Sequence, residues 1–470
     1  MQKRMQQIAT QKVVSNLLSQ FRGPSRAWGQ LAILAAAAIA SVCAPRAALA
    51  QAQRTWNVTS GTWSTAGSWV DSLVPGATDT AYFSGTSVGA SDVTSLLSTN
   101  VTIAGLSFNS SGTTVLRAAS GTSALLTLGT GGIAMNAASG AVTIGASGSA
   151  VNLFLSGTQA WTNDSTGLLS ILGTIDGGTA LTIAGTNSTT LSGTILRLSA
   201  LTKDGTGTLT LSAANTFSGT TRVVDGGLTV ANANALQWST LDMATGDTGT
   251  VTFNQNSSLG GLSGSRNLDL GSFTLTVGNN RQSTTYGGVL SNGGLTKVGS
   301  GTLTLTGANT YTGTTGITTG VLQLGSNGTT GEVDPSSVLA LGSGRLVVNR
   351  SDAFTQAFAS TVLSGGGAVS ANANNTVNFG AITRSAGGTL DISTSGTFIT
   401  SSANVNGILA GITYGNTTWA VSNGSSAITG LADGSYTTTT TAGNDPAQYL
   451  NANIDVTSSP SPGAIAANSL

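Results

Sequence analysis

Residues 201–230 read LTKDGTGTLTLSAANTFSGTTRVVDGGLTV, and residues 295–324 read LTKVGSGTLTLTGANTYTGTTGITTGVLQL. The two stretches lie 94 residues apart and are identical at about 17 of 30 aligned positions, a level that chance does not produce. Their differences are mild: Phe217 faces Tyr311, Ser218 faces Thr312 and Val223 faces Ile317. A unit this short cannot bury a core alone and must stack on its neighbours. Within the first unit the pattern has period two. Leu209 and Leu211 point one way while Thr208 and Thr210 point the other. A polar turn at 215–219 follows, then a second alternating segment, Thr221-Arg222-Val223. The Asp225-Gly226-Gly227 turn leads into a third, Leu228-Thr229-Val230. Three short strands in about 25 residues, parted by glycine-containing corners, predict that each unit is one coil of a parallel β-helix. Apolar residues then stack inward, each buried Leu or Val contributing roughly 1.5–3 kcal/mol. Thr, Ser and Asn are left for outward rows.

Fainter echoes extend the theme. ALTIAG at 180–185 with TLSG at 190–193 precedes the first unit, SALLTLGTGGI at 123–133 and AVTIG at 141–145 come earlier, and LDLGSFTLTVG at 268–278 comes later. The solenoid is therefore expected over 91–400, in roughly 15–20 coils that rise about 4.8 Å each. Composition agrees. The 470 residues include 65 Gly and only 7% charged residues, where an ordinary domain has about 25%. With 39% apolar residues the chain does not fit charge-driven disorder. Thr favours strands, while Gly and Asn favour turns. The fold class expected is all-β.

The formal neutrality of the chain divides in two. Lys3, Arg4, Lys12, Arg22, Arg26 and Arg46 precede every acidic residue, so residues 51–470 carry 11 basic and 17 acidic groups, a net charge of −6. With no cluster of Lys and Arg there is no electrostatic case for nucleic acid. The early basic residues flank an apolar run, LAILAAAAIASV at 31–42, followed by Ala48-Leu49-Ala50. This is the pattern of a signal peptide over 1–50, cleaved between Ala50 and Gln51. The run of 12 residues is short of the roughly 20 a bilayer needs, so no stable transmembrane segment is expected in the mature chain. Cys43, the single cysteine, follows Val42 and Ala40 where a lipid-anchor site wants a small residue and Leu. It leaves with the leader, and the mature chain has no disulfide.

The ends differ from the middle. Residues 51–90 hold Trp56, Trp63 and Trp69, which read as an N-terminal Trp-rich cap over the first open coil, with sugar stacking as the alternative. Residues 401–470 read as a degenerate β-rich end and a Ser/Thr/Pro-rich tail, with a Thr run at 437–441 and Pro460 and Pro462.

Catalytic inventory is thin. The chain has no His, which excludes His-based triads and, with no mature Cys, zinc sites of the His/Cys type. No GxxxxGK[ST] loop occurs, and the GxG strings are turn glycines. Gly260-Gly261 lacks the Gly and Asp that a calcium-binding nonapeptide requires, and Asp176, Asp225, Asp242 and Asp247 sit at turns, where Asp is an ordinary structural residue. Lys203 and Lys297 recur with the unit, as do Gly205 and Gly299, and so belong to its architecture. No catalytic, cofactor-binding or metal-binding residue is expected. The rival class is a polysaccharide-active β-helix, a lyase or glycosidase with two carboxylates about 5–10 Å apart. The 17 acidic residues show no such cluster in sequence.

The LTKxGxGTLTLxxANTxxGTT pattern of both units resembles the autotransporter-associated β-strand repeat, also called the passenger-associated transport repeat. The clear likeness covers about 60 residues. It implies a right-handed parallel β-helical passenger, exported through the inner membrane and found at the cell surface or outside the cell. An outer-membrane export barrel is the implied partner. Such barrels have about 12 amphipathic strands. The stretch after Leu390 does not supply them, so the barrel is expected on a continuation of the chain, of which this is a fragment, or on a separate component. The expected role is a structural stalk or adhesin without catalysis, with host, glycan or cell-surface ligands as further partners.

Overall fold

The computed structural model describes residues 52–85, 91–326, 328, 330–405, 408–422, 427–432, 437–439 and 454–456. The leader, Cys43 and the Ala50–Gln51 cleavage site lie outside the described residues, as does most of the tail after 439. The fold below is that of the unit spanning 53–470.

The repeated unit at 201–230 departs in one respect from a single three-stranded coil. Ala200–Lys203 pairs in parallel with Thr220–Val223, Leu201 beside Thr221 and Lys203 beside Val223. Thr208–Leu211 pairs in parallel with Gly227–Val230. The unit thus supplies two successive rungs on each of two faces. The third side is the 215–217 stretch, where the Thr216 N–H donates to the Ile195 carbonyl of the coil below at 2.9 Å. One coil takes 20 residues, from Leu201 to Thr221. The expected single coil of about 25 residues is therefore one and a half coils, because strands two apart in sequence lie side by side on one face.

The same parallel stacking runs from Gln53–Trp56 on Thr80–Ser84 through to Leu390 beside Ile412. It builds a parallel β-solenoid of about 15 turns. Alternation does the work: Leu201, Leu209, Leu211, Leu295, Leu305 and Leu322 are fully buried, while Thr210, Thr229 and Thr252 line up along the outer side of one face. Strand direction reverses at the far end. Ile412–Tyr414 meets Thr418–Val421 antiparallel, and that strand meets Thr429–Gly430 antiparallel.

The two homologous units do not occupy the same faces. Lys203 leads rung by rung through Val223, Met243, Gly264 and Tyr286 to Leu305, which in the second unit is the counterpart of Leu211. Lys297 leads back instead through Val277 and Leu259 to Leu236, on the side to which Asn215 contributes. The 94-residue offset is thus four and two-thirds coils, and the second unit is turned by one face relative to the first.

Candidate functional surface

The residues that recur with the unit, and that carry polar chemistry, are turned toward the scaffold. Lys203 is 2% exposed and Lys297 1% exposed, at the corner after the first strand of each unit. The Lys203 Nζ donates to the carbonyls of Asp204, Gly205 and Asp225 at 2.7, 2.6 and 3.2 Å. The Lys297 Nζ donates to Val298 and Gly299 at 2.6 and 2.8 Å. Each ammonium closes a corner whose carbonyls have turned out of the strand ladder. The glycines of the motif make room for it. Gly226 and Gly320 have φ of 69° and 70°, and a Cβ there would lie 2.9 Å from the Lys203 Nζ and 2.8 Å from the Lys297 Nζ. Burial pushes the Lys297 ammonium down to about 8. Burial also lowers Lys203, but there the carboxylates of Asp225 and Asp204 oppose the shift. The second unit has Thr319 and Val298 at those positions.

The Asn of the ANT triplet acts as a piece of backbone. Asn215 Oδ1 accepts from the Ile195 N–H of the coil below at 2.8 Å, and its Nδ2 donates to the Ala235 carbonyl of the coil above at 2.9 Å. Asn309 does the same between Leu290 and Glu332, at 2.9 and 2.8 Å, and also donates to Gly307. The last Thr of the GTT triplet, Thr221 or Thr315, is consumed likewise. The Thr221 and Ser239 hydroxyls share a bond of 2.8 Å, and Ser239 donates to the Gly219 carbonyl at 2.6 Å. In the second unit the chain of hydroxyls is Tyr311, Thr315 and Ser337, ending on Gly313. Asn215, Asn309, Thr221 and Thr315 are all at most 3% exposed. They therefore do not stand in outward rows, as the sequence pattern suggested, because buried polar groups at a corner find partners in the adjacent coils.

The acidic residues at turns have local partners. Asp176 pairs with Arg197, which holds its carboxyl below the usual range, and Asp247 pairs with Arg222 at 2.8 Å to the same effect. Asp225 accepts from Thr248 at 3.0 Å, Asp204 caps the Gly205 N–H at 2.8 Å, and Asp242 accepts from Ser263 at 3.3 Å. Among the described residues no three His, Cys, Asp or Glu side chains gather at one point. A shallow open depression is lined by Gly121, Thr122, Ser123, Gly148, Ser149 and Ala150, which offer hydroxyls and backbone only.

Trp56, Trp63 and Trp69 are at most 2% exposed. Trp69 packs edge-on against both others at 4.9 Å between ring centroids, and its indole N–H donates to the Trp63 carbonyl at 2.7 Å. Phe83 and Phe108 continue the stack into the next coils at 5.1 Å. These aromatic faces are covered by one another.

No helix among the described residues is long and apolar enough to cross a membrane. No curated protein and no solved structure matches the chain. The passenger-associated-transport-repeat family matches it twice, over residues 201–230 and 295–324. Those are the stretches whose Lys, Gly, Asn and Thr close the corners described above. The chain thus carries two passenger-associated transport repeats within a longer parallel β-solenoid, a combination that fits an autotransporter passenger.

Proposed function

We propose that the chain is an exported, surface-displayed or released passenger that serves as a structural stalk or adhesin and has no catalytic activity of its own. The observation that carries the reading is the use made of the repeat: its one cation, its amide and its hydroxyls are spent on carbonyls and N–H groups of adjacent coils. A scaffold built this way presents faces of Thr and Ser, suited to weak multivalent contact with another surface. Export begins at the leader, with cleavage between Ala50 and Gln51, and continues through an outer-membrane barrel. In this reading residues 51–90 form the cap of the first coil, supported by the mutual packing of the Trp trio, and 91–400 form the solenoid proper.

The reading is tested in two steps. N-terminal sequencing of the exported protein should give Gln51, and protease added to intact cells should remove the chain. The purified chain should then leave a panel of polysaccharides uncut. Depolymerisation that disappears on changing one Asp would replace this reading with the lyase or glycosidase class.

A further inference from the structure

Trp238 is the most exposed of the described tryptophans. It is 42% exposed, against at most 2% for Trp56, Trp63, Trp69 and Trp161, while Trp419 is half-buried. Its strand, Leu236–Met243, shifts register against Ser257–Gly264 between Leu236 and Thr240. Such a shift re-aims side chains, and here it places an indole at a solenoid corner. Among the described residues Trp238 makes no side-chain hydrogen bond and no ring contact, and its exposed ring is left free for a ligand.

The corner above it is bare. Gly260 stacks directly on the Trp238 backbone, so closely that a Cβ would lie 2.3 Å from the Trp238 carbonyl. In the next coil the Asn280 N–H donates to the Gly260 carbonyl at 3.2 Å. Asn280 also reaches past Gly261 to Thr240, its Nδ2 donating to the hydroxyl at 3.0 Å across 40 residues. The 279–282 loop is thereby pinned over the Gly260–Gly261 pair, two residues along from Trp238. Two coil spacings are about 10 Å, the width of one sugar ring with its contacts.

The loop presents Arg281 at its tip. Arg281 has φ 62°, a left-handed conformation that non-glycine residues hold at a cost. Among the described residues its exposed guanidinium has no partner, as is also true of Arg117 and Arg345, which stand elsewhere on the solenoid. Arg54, Arg197, Arg222 and Arg350 are in ion pairs, and Arg266 and Arg384 donate to backbone carbonyls. No acidic residue lies within the loop, whose sequence is Asn279-Asn280-Arg281-Gln282. Asn280 is used within the fold, its Oδ1 accepting from the Gln282 N–H, so the loop offers the amides of Asn279 and Gln282; with an aromatic face and a free guanidinium they match one chemistry. The ring takes the C–H face of a pyranose, the amides take hydroxyls, and the guanidinium takes a carboxylate in a bidentate pair. A single cation is too little for a nucleic acid.

We propose that the notch between Trp238, Gly260 and the 279–282 loop binds a carboxylate-bearing sugar of a glycan, with the ring on Trp238 and the carboxylate on Arg281. This deepens the adhesin reading and rests on it. The test titrates the full chain with oligogalacturonate, hyaluronan and sialylated oligosaccharides and with their carboxyl-reduced forms, followed by tryptophan fluorescence and calorimetry. At least one acidic oligosaccharide should bind, and its reduced form at least tenfold more weakly. Trp238→Ala should abolish binding, and Trp238→Phe should keep part of it. Arg281→Gly should lose at least tenfold in affinity while melting at the same temperature or higher, since glycine accepts φ 62° freely. A purely structural Arg281 would move stability the other way. Absence of binding to every acidic oligosaccharide, or binding that survives both Trp238→Ala and Arg281→Gly, overturns the proposal. If the double variant still adheres to glycans or cells, the notch is wrong and the adhesin stands. If the wild type cuts the oligosaccharide, the adhesin reading itself falls.

Discussion

Asn309→Ala isolates what the ANT triplet does. The Leu290 N–H belongs to a parallel rung and would normally donate to a strand carbonyl in the coil above. The chain turns there, and Asn309 Oδ1 takes that carbonyl's place at 2.9 Å. Truncation leaves the buried N–H without a partner, at about 1–3 kcal/mol. It also removes two donations, to Gly307 and Glu332, each worth roughly 0.5–1.5 kcal/mol. The Glu332 carbonyl keeps a bond from the Asn309 backbone N–H at 3.1 Å, so its loss is the milder one. The sum is about 2–5 kcal/mol. A solenoid unfolds as locally coupled coils, so one melting temperature would blur the effect. Amide exchange read coil by coil resolves it: a loss of about 3 kcal/mol should speed exchange at Leu290 roughly hundredfold. Asn215→Ala should do the same at Ile195. Asn309→Asp sharpens the case. Its carboxylate keeps the acceptor for Leu290 but turns an oxygen toward the Gly307 and Glu332 carbonyls, so protection should be lost at pH 7 and partly return near pH 4, where the carboxyl regains a proton to donate. Exchange at Leu290 unchanged within threefold in Asn309→Ala would refute the backbone-surrogate role.

Lys297 gives a pH signature. Its folded value of about 8 lies below the 10.5 of an exposed lysine, so the unfolded chain binds more protons between those values and stability rises with pH there. The gain from pH 8 to 9.5 is at most about 2 kcal/mol, less where water reaches the corner, and should vanish in Lys297→Met when urea melts at the two pH values are compared. The window stops short of pH 10, because burial holds Tyr286 and Tyr311 up and their contribution falls once the unfolded tyrosines ionise. Gly320→Ala should be far worse than an exposed Gly→Ala, since it combines φ 70° with a Cβ 2.1 Å from the Gly299 carbonyl; failure to lower the melting temperature would contradict the corner geometry. Trp69→Ala removes three edge-on ring contacts, to Trp56, Trp63 and Phe83, and the bond to Trp63, and should cost about 3–5 kcal/mol, read as faster exchange in Gln53–Trp56 and Thr80–Ser84 with the distant coils unaffected.

Much of this fold was legible in two stretches of sequence, because period-two alternation names the inward residues whatever the strands pair with. Leu209, Leu211, Leu303 and Leu305 are buried as the pattern requires. What alternation cannot convey is which strand lies beside which. Thr208–Leu211 and Gly227–Val230 look like different sides of one coil until their pairing is known. The third side escaped for a related reason: at 215–217 a side chain replaces a backbone carbonyl, so no strand pattern is written there. The recurrence of Asn215 and Asn309 was the available signal. The recurrence of Lys203 and Lys297 marks them as architecture, but it does not say that what they hold is a set of carbonyls. Trp238 was invisible because it lies outside both repeats, in a register shift that only pairing exposes.

The turn of one face between the two units bears on what the repeat is for. If the LTKxGxGTLTLxxANT pattern were a binding surface, its copies would gain most from sharing a face, where ligand contacts could add along one line. They are set four and two-thirds coils apart instead, and Lys203 and Lys297 stand on different rows. Nothing in the coil opposes this, because the Lys–Gly corner and the Asn bridge need only the rung below and the rung above, whichever side they start from. The pattern is therefore free of azimuth, as a device for closing corners should be and a display motif should not. Recognition has to come from residues the repeat does not fix, and the unpartnered Trp238 and Arg281 lie in the stretch between the two copies.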